Sequence, residues 1–106
     1  MEETIMELLV QAGCARSSAL SALRSARQGN FSQADAAMAE SHNAVKLAHA
    51  KQTALIGLDE GCGKLTVTLI TVHAQDHLMN AMVIQDLAQD LIELYRRLPV
   101  AVGETQ

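Results

Sequence analysis

In its 106 residues the chain has no tryptophan, one tyrosine (Tyr95) and one phenylalanine (Phe31). Its apolar content, 49% of all residues, therefore falls mostly to alanine, leucine, valine, isoleucine and methionine. Such a composition favours closely packed helices and is too apolar for a disordered chain. Positive charge is the scarcer sign, with 8 Lys and Arg against 12 Asp and Glu and a net charge of −4. No basic cluster overrides that balance, which excludes a nucleic-acid partner. No apolar run reaches the ~20 residues needed to span a bilayer, so no membrane insertion is expected. The leading Met1-Glu-Glu-Thr lacks the basic flank of a secretory signal, and the chain reads as cytoplasmic. Cysteine is scarce as well: Cys14 and Cys62 lack C-x-x-C spacing and are too few for a disulfide framework. Cys14 reads as a small core residue and Cys62 as a free thiol in a glycine loop. The length fits a single domain over 1–106, and a chain of this size buries only roughly 60–70% of its unfolded surface, so self-association is expected to add stability.

What is present is helical periodicity. Ile5, Leu8, Ala12, Ala15, Ala19, Leu23 and Ala26 recur at steps of three and four and predict a helix from Glu2 to about Gln28. Gln28-Gly29-Asn30-Phe31-Ser32 supplies a stop signal, with Ser32 as the expected N-cap of a second helix from Gln33 to about Ile56. Ala34, Ala37, Met38, Ala44, Val45, Ala48 and Leu55 give that helix a face of small residues. The stretch Gly57-Leu-Asp-Glu-Gly-Cys-Gly63 breaks it. The run Leu65 to Val72 is rich in β-branched residues and alternates like a strand. A lone strand would have no partner here, and Leu65, Leu69, Val72, Asp76, Met79 and Val83 form a heptad, so the third helix is placed from about Leu65 to Arg97 with Pro99 as its stop. The fold class is all-α, an up-down-up antiparallel three-helix bundle, with a frayed tail from Val100 to Gln106.

The third helix carries the informative cluster. Asp76 takes a heptad position between Val72 and Met79, while His73, His77 and Asn80 lie on an adjoining stripe otherwise made of Ile70, Ile84, Leu87 and Leu91. Each of these residues alone is more often a satisfied polar group than a functional one. Together, a carboxylate at a seam and two imidazoles within one turn of it call for compensation or chemistry. Two chemistries suit them. An oriented imidazole can accept a phosphoryl group and surrender it. The same His-x-x-Asp-His spacing could hold a divalent metal through His73, His77 and Asp76. A zinc-protease helix is excluded because Ala74 stands where its Glu is needed. Glu60-Gly-Cys-Gly-Lys64 lacks the first glycine and the Ser/Thr of a P-loop and reads as a connector. His42 and His49, seven apart without acidic companions, read as surface residues. Met79 and Met82 read as packing.

The motif His73-Ala-Gln-Asp-His-Leu-Met79 with the following Asn80-Ala-Met82 closely resembles the enzyme IIA component of the lactose/cellobiose class of the sugar phosphotransferase system. Gly13-Cys-Ala-Arg-Ser17, Ala26-Arg-Gln-Gly-Asn-Phe31, His49-Ala-Lys-Gln-Thr53 and the glycine-rich loop before the third helix support the resemblance in combination. It implies that His73 accepts phosphate from the histidine phosphocarrier protein and passes it to a cysteine of enzyme IIB, for uptake of a β-linked disaccharide such as cellobiose, chitobiose or lactose. It further implies a homotrimer with the third helices around the axis, Asp76 facing that axis and sharing one divalent cation, Mg2+, per trimer, and Gln75 in hydrogen-bonding reach of the phosphorylated imidazole. The resemblance assigns no role to His77. Two competing readings are a metal-binding helical bundle that stores or senses a cation and a purely structural trimerisation module.

Overall fold

Alanine sets the spacing of the helices. In the computed structural model, which describes residues 1–99, α1 (Glu2–Arg27), α2 (Phe31–Asp59) and α3 (Leu69–Arg97) form an up-down-up bundle of 60 × 19 × 19 Å. Its core is mostly alanine: Ala12, Ala15, Ala19 and Ala22 of α1 meet Ala34, Ala44 and Ala48 of α2 and Ala74, Ala81 and Ala88 of α3. The largest fully buried side chains are Leu8, Leu78 and Ser41. With so little bulk between them the helix axes approach closely, so small side chains give a thin, elongated bundle. Among the described residues there is no strand, and no helix is long and apolar enough to cross a membrane.

The first joint is tighter than its sequence suggested. Gly29, at φ 81°, donates its N–H to Ala26 O at 2.9 Å, and Asn30 N–H reaches Ser25 O at 2.9 Å. This is a Schellman ending, with glycine at the one position that needs a left-handed backbone. Asn30 then serves α2 as well, accepting from Gln33 N–H at 3.2 Å. The N-cap is Asn30 and not Ser32, because the α1 ending already turns Asn30 into the capping geometry.

The second joint also corrects the expectation. α2 runs past Gly57 to Asp59 and ends at Glu60, which takes a left-handed φ of 54°. The Asp59 carboxylate accepts from Gly63 N–H at 3.1 Å and Leu65 N–H at 2.9 Å, drawing the chain into a compact loop. α3 begins at Leu69, four residues later than the heptad implied, with Thr68 as its N-cap accepting from Thr71 N–H at 3.4 Å. The β-branched run Thr66-Val67-Thr68 stays out of the helix, as its side chains favour, although it pairs with no strand. Leu65 packs against the core of Ile5, Leu8, Leu55 and Leu78 from this loop. The expected fraying from Val100 lies outside the described residues.

Polar bridges join α2 to α3. Ser41 donates its hydroxyl to Ala15 O at 2.7 Å and accepts from Gln85 Nε2 at 2.8 Å, which ties all three helices through one buried oxygen. His42 Nε2 meets Gln89 Oε1 at 2.9 Å, and Arg96 pairs with Asp35 while its guanidinium lies 4.9 Å over the Phe31 ring. Cys14 is exposed and not in the core, since two residues past buried Ala12 the helix faces out.

The larger difference concerns which face of α3 is inside. Its buried residues are Ala74, Leu78, Ala81, Gln85, Ala88 and Ile92. The heptad residues Leu69, Val72, Met79 and Val83, joined by Leu87, which the sequence spacing puts on the adjoining stripe, face away from the bundle, with Leu69 85% and Leu87 58% exposed. A protomer thus leaves its most hydrophobic helix face unpartnered.

Candidate functional site

The site begins at the start of α3. Thr68 stops the extended segment, and its carbonyl accepts from Val72 N–H at 3.1 Å, setting the first helical turn. His73 lies one turn further on. In a helix a side chain leans back toward the N-terminus, so the imidazole lies over the turn that begins α3, whose N–H groups form its positive end. His73 is exposed, and together with Leu69, Ile70, Val72 and Asp76 it lines an open depression of about 550 Å³. The imidazole therefore sits in an apolar rim that an incoming protein can reach.

His77 stands one turn along, half-buried, with its ring edge-on to His73 at 4.5 Å between centroids and 81° between planes. This contact restricts the rotamers open to His73. Asp76 is exposed and is the charged member of the outward stripe between Val72 and Met79. His73, Asp76 and His77 thus share one side of α3, as their spacing predicted. They do not converge on a point: among the described residues no group of three or more His, Cys, Asp or Glu side chains is placed to hold a metal ion. The cation-storage reading has no support in the protomer.

Gln75 lies elsewhere. At about 100° per residue it is roughly 200° around the helix from His73, which puts it on the far flank of the outward stripe. There it accepts a hydrogen bond from Gln52 Nε2 of α2 at 2.5 Å and lines a hollow of about 220 Å³ with Leu55, Leu65 and Thr71. Within one protomer the structure does not bring Gln75 to His73. His42 and His49 are exposed on α2, as expected of surface residues, with His42 held by Gln89. Gln52 and the ring contact of His77 were not read from the sequence. Gln52 is 23 residues from its partner, beyond any local spacing rule.

Comparison with known proteins agrees with the fold. The family model for the lactose/cellobiose-specific IIA subunit of the phosphotransferase system (PTS) matches residues 3–96. The N,N'-diacetylchitobiose-specific EIIA component of Escherichia coli (strain K12) is 48% identical over 98 residues, spanning 92% of this chain and 84% of that relative. The crystal structure of the PTS cellobiose-specific enzyme IIA from Bacillus anthracis superposes with a TM-score of 0.86 at 40% identity, covering 91% of this chain and 88% of that one. The IIA(Chitobiose) solution structure, solved as its complex with HPr from the N,N'-diacetylchitobiose branch of the Escherichia coli phosphotransferase system, gives a TM-score of 0.78 at 47% identity, covering 91% of this chain and 93% of that one. With the fold and the sequence in agreement over nearly the full length, the chain belongs to the lactose/cellobiose-specific IIA family of the sugar phosphotransferase system.

Proposed function

We propose that His73 is the phosphoryl carrier, loaded by HPr and unloaded by a cysteine of enzyme IIB during uptake of a β-linked disaccharide. The observation that carries the reading is the exposed His73 imidazole in an apolar depression at the start of α3, within the family motif. In loading, a lone pair on a His73 nitrogen attacks the phosphorus of the donor phosphohistidine. A new N–P bond forms, and the donor's N–P bond breaks with its electrons returning to the donor imidazole. In unloading, the IIB thiolate attacks, an S–P bond forms and the His73 N–P bond breaks. Neither step needs a protein acid or base. They need an accessible nitrogen, in-line approach and donors for the phosphoryl oxygens. Ile70, on the His73 side of the depression and off the axial stripe, leaves an apolar edge suited to weak, reversible docking. The 48% identical chitobiose relative favours chitobiose or cellobiose over lactose as the sugar.

The active form is a homotrimer with three α3 helices around the axis. Support comes from the outward stripe of Leu69, Val72, Met79, Val83 and Leu87, which has no partner within the protomer. Relative to Asp76 at the axis, His73 lies about 60° to one side and Gln75 about 100° to the other. In a closed three-fold ring one flank of each copy meets the opposite flank of the next. His73 of one copy therefore faces the neighbour's Gln75, which restores to the trimer the contact that the protomer does not make. Three Asp76 carboxylates at the axis need a proton or a shared cation, and the hard oxygen donors fit one Mg2+ per trimer. That ion would neutralise the axis and would have no part at His73.

A reconstituted system of phosphoenolpyruvate, the general phosphotransferase components and the cognate membrane enzyme tests the reading. His73→Ala is expected to abolish sugar phosphorylation while leaving helicity and assembly intact. Sugar phosphorylation at the wild-type rate by His73→Ala would overturn it.

A further inference from the structure

We infer that Gln52 is a positioning residue of the phosphoryl site, holding the Gln75 amide so that only its N–H donors are presented to the group on His73. This rests on the reading that Gln75 of one copy faces His73 of the next.

A side-chain amide is ambivalent toward a phosphoryl group. Its NH2 end donates to the anionic oxygens, whereas its carbonyl end repels them, and a free glutamine samples both. Which end points outward must be fixed by something at the other end. In the structure the Gln75 Oε1 is occupied: Gln52 Nε2 donates to it at 2.5 Å across the α2–α3 seam. Both residues are half-buried, so water competes weakly for that bond. Among the described residues no protein acceptor takes the Gln75 N–H groups, which remain available to a ligand. Gln75 is also confined, lining its hollow with Leu55, Leu65 and Thr71, so few rotamers are open to it. Gln52 has its own constraint through the backbone: the preceding Lys51 is drawn the other way, to Glu7 on α1 at 2.7 Å.

The consequence is a sign rule for position 52 that a purely structural interhelical bond would not obey. A donor there keeps the N–H groups of Gln75 outward. An acceptor there turns the amide over and points its carbonyl at the phosphoryl oxygens. A side chain of equal length with no hydrogen-bonding group leaves the amide free to sample both.

The test is the single-turnover rate of phosphoryl transfer from phospho-HPr to the full-length chain, measured with the thermal midpoint and the sedimentation of each variant. Gln52→Met is expected to slow transfer roughly three- to tenfold and Gln52→Glu at least as much. Gln52→Lys, a donor alone, is expected to retain the wild-type rate. On a Gln75→Leu background, itself slow, Gln52→Met should cost nothing more. A full rate in Gln75→Leu removes the premise that Gln75 serves the phosphoryl group, and the inference falls with it. If Gln75→Leu is slow while Gln52→Met and Gln52→Glu transfer at full rate, the premise stands and the role of Gln52 is refuted. Equal slowing by Met, Glu and Lys, in step with lowered thermal midpoints, assigns Gln52 to the structure alone and overturns the inference.

Discussion

Replacing Asp76 by leucine is expected to strengthen assembly. In the protomer Asp76 is exposed and lies between Val72 and Met79 on a stripe that has no intramolecular partner, so the isolated chain should fold unchanged. In a trimer with this stripe at the axis, each leucine would move from water into an apolar seam. Burial of one leucine side chain stabilises by about 2 kcal/mol, so three give about 6 kcal/mol per trimer. That corresponds to roughly four orders of magnitude in the dissociation constant, before counting the carboxylate desolvation that the substitution also removes. Sedimentation equilibrium over a dilution series, with EDTA or with MgCl2, measures it. The variant should stay trimeric at dilutions where the wild type dissociates, and should be indifferent to chelation. Dissociation of Asp76→Leu to monomers where the wild type remains assembled would refute an axial Asp76 and the packing argument with it.

The remaining predictions probe the same architecture at other points. Leu87→Glu, at an exposed stripe position, should leave helicity by circular dichroism unchanged but shift sedimentation to the monomer, since three charges would enter the seam. Gln85→Ala should lower unfolding free energy by about 1–3 kcal/mol in denaturant at fixed protein concentration, because it removes the bond to Ser41 and leaves a cavity among three helices. Gln52→Lys should transfer phosphate at the wild-type rate while Gln52→Glu is slowed, as read by single-turnover kinetics.

The parts of the fold legible in the sequence were those governed by local chemistry. Alanine-rich periodicity located three helices, glycine at 29 located the first joint, and the spacing of His73, Asp76 and His77 placed them on one side of α3. What periodicity could not tell was the direction of that side. A helix with two apolar faces can bury either, and in α3 the alanine face with Ala74, Ala81 and Ala88 went inside because only small side chains fit between such close axes. The larger Leu69, Val83 and Leu87 were left outside. The start of α3 was placed too early because the heptad continues back through Leu65, whereas Thr68 offers the cap and Asp59 holds Leu65 in the loop. Ser32 and Asn30 are both good caps, and the Schellman turn of the preceding helix chose between them. Pairings across helices, such as Ser41 with Gln85 or Gln52 with Gln75, have no local signature at all.

The imidazole of His73 is proposed to carry the phosphate, and His77, whose ring meets it edge-on one turn away, is not. Mapping the label after incubation with phosphoenolpyruvate and the phosphocarrier components tests this most directly. The account predicts an acid-labile, base-stable phosphate on His73 that is absent from His73→Ala and present on His77→Ala. Label on His77 in the wild type, or equal labelling of both variants, would contradict it.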